Sequence, residues 1–69
     1  MIDHVYKTIE LTGSSSTGIE DAVNKAVKKA AQSIHKLRWF EVTQIRGEIA
    51  DDAVRHWQVT AKVGFTIDE

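Results

Sequence analysis

The stretch Val54-Arg55-His56-Trp57-Gln58-Val59-Thr60-Ala61-Lys62-Val63-Gly64-Phe65-Thr66-Ile67 alternates with a period of two. In an extended chain Arg55, Trp57, Val59, Ala61, Val63, Phe65 and Ile67 share one face, and His56, Gln58, Thr60, Lys62, Gly64 and Thr66 the other. A strand with one apolar face needs a second layer to cover it. Upstream, Ala50-Asp51-Asp52-Ala53 is a short polar connection, and Trp39 to Ile49 reads as the preceding strand. Before that strand, Ile19, Ala22, Val23, Ala26, Val27, Ala30, Ile34 and Leu37 recur at three- and four-residue steps, the stripe of an amphipathic helix running to about Lys36. The stripe supplies the covering layer.

Thr17-Gly18-Ile19-Glu20 offers a capping box at the start of the helix, in which Thr17 and Glu20 satisfy each other's exposed amides. Asp21 comes early on the polar face and Lys25, Lys28 and Lys29 later, an order that suits the helix dipole. Gly13-Ser14-Ser15-Ser16 reads as a turn, and Val5 to Thr12 alternates as a first strand. The element order is β-α-β-β. The sequence therefore predicts an α+β subunit: a three-stranded antiparallel sheet curved around one long helix, with Gly47 and Gly64 permitting bends or bulges. Residues 1–69 form one domain.

A chain of 69 residues buries only about 60% of the surface its unfolded form exposes. Disulfides or a structural metal commonly compensate. This chain has no cysteine, and its His4, His35 and His56 have no partner at ligand spacing, so association is the expected remedy. A net charge of −1 gives no basic field for nucleic acid, and no apolar run approaches the roughly 20 residues of a membrane span. Met1-Ile2-Asp3-His4 lacks the basic and apolar regions of a signal peptide, which makes the cytoplasm the expected location. Nor does a catalytic constellation emerge: there is no cysteine nucleophile, no lysine completing a phosphate loop at Gly13 to Gly18, and no proline for tautomerase chemistry. The expectation is a binding protein, not an enzyme.

Several ordered segments resemble bacterial dodecins: Tyr6-Lys7, Ile9-Glu10-Leu11-Thr12-Gly13, Leu37-Arg38-Trp39-Phe40-Glu41-Val42, Ile45-Arg46-Gly47, Trp57-Gln58-Val59 and Lys62-Val63-Gly64-Phe65. They span essentially the whole chain. The resemblance implies a homo-oligomer, a hollow dodecamer, that binds flavin mononucleotide, riboflavin or flavin adenine dinucleotide without turning it over. It implies that Trp39 stacks on the isoalloxazine ring, that Gln58 meets the pyrimidine edge, and that Arg46 is a candidate for the phosphate or ribityl chain. At Gln44 an archaeal-type dodecin carries an acid, so the ribityl contact departs from that pattern. Flavin storage and protection from light follow as the implied role. Two alternatives stay open: a scaffold particle with flavin incidental, and coenzyme A binding with Lys28, Lys29 and Arg46 as phosphate partners.

Overall fold

The computed structural model describes residues 3–67; Met1 and Ile2, part of the N-terminal stretch weighed above, lie outside them. Strand β1 (Tyr6–Ser15) is followed by helix α1 (Ile19–Ala31), then β2 (Leu37–Ala50) and β3 (Ala53–Thr66). Sheet order is β1-β3-β2, with both outer strands antiparallel to the central one. The predicted β-α-β-β order and antiparallel sheet are therefore present. The alternating stretch forms the middle strand, and on its apolar face Val59, Ala61 and Val63 are buried beneath Ala22, Val23, Ala26 and Ala30 of the helix layer. Among the described residues, no fully buried side chain is larger than valine.

Several local expectations need correction. The Gly13-Ser14-Ser15 segment is strand: Gly13 pairs with Val59, Ser14 with Gln58 and Ser15 with Trp57. The Thr17–Glu20 box does not form: the N-cap is Gly18, with no side-chain cap, and Ser15 instead fixes the turn that leads into the helix. The buried Ser15 hydroxyl accepts from the N–H groups of Thr17 (2.9 Å) and Gly18 (3.3 Å) and donates to Asp21 Oδ2 (2.6 Å), using its whole capacity. That bond, followed by the Lys25 ammonium 3.1 Å away, lowers the Asp21 carboxyl pKa below its ordinary value. Its contribution to stability is present above the ordinary carboxyl pKa and is lost as pH falls through the lowered one.

The helix ends at Ala31, not near Lys36. Gln32 and Ser33 donate to the carbonyls three residues back, and Lys36 takes φ 65°, a left-handed conformation that turns the chain into β2. The pairing shifts at Leu37/Trp39, Val42/Gln44 and Glu48/Ile49. Gly64 faces the first of these bulges, opposite Trp39, whereas Gly47 pairs with Trp57 outside any shift.

The hairpin between β2 and β3 closes on Asp51 and Asp52, with φ 53° and 63° between the paired Ala50 and Ala53. Two left-handed residues make a type I′ turn, whose twist matches the strands and which favours glycine at its second position. Asp52→Gly is expected to raise stability by about 0.5–1 kcal/mol. A rise of a few degrees in Tm at fixed protein concentration would show it.

Helix α1 packs on β1 and β3. A helix about 10 Å across covers two strands spaced 4.8 Å apart and leaves the third bare. Consequently Phe40, Val42 and Ile45, which pair with the buried Val63, Ala61 and Val59, are exposed on the helix side of β2. The uncovered surface is thus not only the polar face. The molecule is elongated, 53 × 20 × 15 Å, with a radius of gyration of 14.3 Å against about 11 Å for a compact domain of this length. Its accessible surface of 5325 Å² exceeds by about 1,000 Å² that of a compact monomer of the same mass.

Candidate functional site

The sheet face turned away from α1 carries Trp39, Gln44, Arg46 and Gln58 together. Two bulges arrange this. Leu37 pairs with Phe65 on the helix side, and regular alternation would return Trp39 to that side; the extra residue Arg38 places Trp39 opposite Gly64 instead. Thr43 does the same between Val42, opposite Ala61, and Gln44, opposite Thr60. Its hydroxyl lies within hydrogen-bonding distance of the Thr60 carbonyl and the Glu10 carboxylate, 3.2 Å from each, which anchors the bulge. The apolar residues change parity between Phe40/Val42 and Ile45/Ile49, and that change was a legible sign of the bulge.

Trp39 lies over Gly64. A Cβ at Gly64 would overlap the indole, with Cδ2 at 2.7 Å and two further ring atoms closer still. Tyr6, also on the open face, meets the indole edge-on at 6.0 Å and 67°. The Trp39 side chain is thus held from below and from one edge, while the residue remains 40% exposed. Trp57, the other tryptophan, pairs with Ser15 and Gly47 on the helix-facing side and is half-buried. Sequence alone placed Tyr6 and Gly64 on suitable faces, but their contact with Trp39 depends on a register that alternation does not specify.

At the other end of the face, Arg46 Nε donates to Gln58 Oε1 at 2.8 Å. The next pair is Glu48 and His56, whose Nδ1 lies 3.2 Å from Glu48 Oε1; Arg55 Nε is 4.0 Å from the same oxygen. Between the two ends, Thr12 and Thr60 share a hydroxyl hydrogen bond of 2.8 Å. Lys28 and Lys29 lie on α1, across the sheet from Arg46, so one subunit does not gather the three cations into one patch. Gly64 to Gln58 is six steps along β3, or about 20 Å. A ring stacked on Trp39 therefore does not reach Gln58 of the same chain.

The dodecin family model matches residues 5–68. The chain belongs to the dodecin family. It is 43% identical over 65 residues to a dodecin of Thermus thermophilus, an alignment covering 94% of each chain. The solved dodecin of Streptomyces coelicolor is 49% identical and superposes with a TM-score of 0.91, covering 100% of this chain and 99% of that one. A dodecin from Streptomyces davaonensis is 41% identical, also at a TM-score of 0.91, covering 99% and 100% respectively. Dodecins are non-catalytic binding proteins, and flavin binding is typical of them. Membership also implies oligomerisation, which accords with the bare apolar strip on β2. Among the described residues, no helix is long and apolar enough to cross a membrane.

Proposed function

We propose that this protein binds flavin without transforming it, holding the isoalloxazine ring against Trp39 in a site shared between subunits of a hollow dodecamer. The carrying observation is the exposed Trp39 indole seated on Gly64 and braced by Tyr6. An indole face gives a flat, electron-poor ring dispersion and offset stacking. The separation of Trp39 from Gln58 makes another copy the natural source of the amide that meets the ring edge. Arg46 and Gln44 then stand near the ribityl and phosphate end. A neighbouring copy would also cover Phe40, Val42 and Ile45, burying surface that α1 leaves bare. Stacked indole can donate an electron to photoexcited flavin and quench it, which supports flavin storage and photoprotection as the role.

Titration with flavin mononucleotide, read by flavin fluorescence alongside light scattering, tests this. Strong quenching that saturates near one flavin per chain on a particle of about twelve chains is expected. A particle that leaves flavin fluorescent would reject flavin storage and favour coenzyme A or protein partners; a monomer would reject the shared site.

Gly64→Ala examines the seat of the indole separately. The new methyl group displaces Trp39, whose exposed side chain can swing aside, so folding and assembly are expected to survive. Flavin affinity should fall at least about tenfold, because a stacking surface works only when held in place. Unchanged affinity would show that the Gly64 seat has no part in binding.

A further inference from the structure

We infer that Arg46 is a positioning residue for Gln58: it fixes the side-chain amide with its NH₂ group outward, so that the site recognises carbonyl oxygens on the edge of a flat heterocycle. This rests on the flavin-binding reading above and adds a separate role for the arginine.

The observation is the 2.8 Å hydrogen bond from Arg46 Nε to Gln58 Oε1. A guanidinium has donors only, so the amide must turn its oxygen toward Arg46 and its nitrogen away. Chemistry thus decides which end of the amide faces outward. Register places the two residues directly opposite on neighbouring strands, which makes the contact a consequence of pairing. The next acid on the face, Glu48, does not compete for Arg46 in this arrangement: its Oε1 is engaged by His56 at 3.2 Å, with Arg55 at 4.0 Å. With Oε1 partly occupied, Gln58 presents two N–H donors and one remaining acceptor site. The Arg46 amino groups add further donors beside them. Such an edge suits the carbonyls of a pyrimidinedione ring, and one bearing only donors would leave these groups unmatched.

A phosphate-binding arginine and an amide-positioning arginine differ in their response to a ligand with no phosphate. Lumichrome carries the ring edge with neither ribityl chain nor phosphate. Arg46→Ala is expected to weaken lumichrome binding roughly tenfold, Gln58→Ala by a similar factor, and the double variant no more than the larger single loss. Arg46→Lys keeps a donor-only cation able to reach Gln58 Oε1, so it should retain more lumichrome affinity than Arg46→Ala. Light scattering on each variant verifies the assembly.

Unchanged lumichrome affinity in Arg46→Ala would overturn the positioning role while leaving flavin binding intact. Multiplied losses in the double variant would overturn it too, since independent contacts multiply. Failure of the wild-type protein to bind any flavin would overturn the underlying reading as well.

Discussion

Replacing Trp39 by alanine is expected to lower affinity for flavin mononucleotide by about two to three orders of magnitude without changing the mass of the particle. The size follows from what one indole face contributes. An aromatic side chain buries about 150–250 Å² when fully enclosed, and one face is about half of that. At about 25 cal/mol per Å² this corresponds to roughly 2–3 kcal/mol, and offset stacking adds about 1 kcal/mol. The sum of about 3–4 kcal/mol is a factor of about 10²–10³ in affinity. Assembly should survive because Trp39 stands on the open face, 40% exposed, outside the Ala22, Val23 and Val59 core. Trp57→Phe is the internal control: it alters a half-buried tryptophan on the helix-facing side and should leave flavin quenching nearly intact. If Trp39→Ala binds as the wild type does, the stacking role is wrong. If both variants lose binding together with particle mass, the effect is one of folding.

The fold was legible because the longest alternating segment became the central strand. A strand flanked on both sides has its faces assigned by burial alone, and Val59, Ala61 and Val63 obey the pattern without a break. Strand β2 was less legible because it is an edge whose apolar residues no helix covers. Its two bulges reset the alternation, so the facing of Trp39, Gln44 and Arg46 depended on where the ladder slips. Helix ends failed for a related reason. A Thr–x–x–Glu spacing is one way to satisfy the first amides, but Ser15, still held in β1 opposite Trp57, fixes the Thr17 and Gly18 amides in the turn before them, and the N-cap falls on Gly18. Local sequence offers both solutions, and strand pairing selects one. The same limit hid the Arg46–Gln58 bond, which arises from two residues twelve apart brought opposite each other by the hairpin.

Gly13→Ala should destabilise the subunit by about 3 kcal/mol, the upper part of the range for overpacking a core. A Cβ at Gly13 would collide with the Ala22 backbone carbonyl oxygen and stand 3.1 Å from both the Ala22 carbonyl carbon and Ala26 Cβ. Backbone cannot rotate out of the way as the Trp39 indole can above Gly64. The helix must lift from β1, and lifting it loosens Ala22 and Val23 from Val59, the centre of a core that has no larger fully buried side chain among the described residues to compensate. For a domain of this size, about 3 kcal/mol corresponds to a fall of roughly 12–24 °C in Tm. Gly18→Ala provides the contrast. At Gly18 the backbone is extended, with φ 167°, and a Cβ there meets nothing within 4 Å, so a change within about 0.5 kcal/mol is expected. Thermal unfolding at equal protein concentration compares them directly. Equal Tm values for the two variants would mean that α1 does not depend on the close approach at Gly13. A large loss only in Gly13→Ala, with Gly64→Ala stable but impaired in flavin binding, would separate the glycine that seats the helix from the glycine that seats the tryptophan.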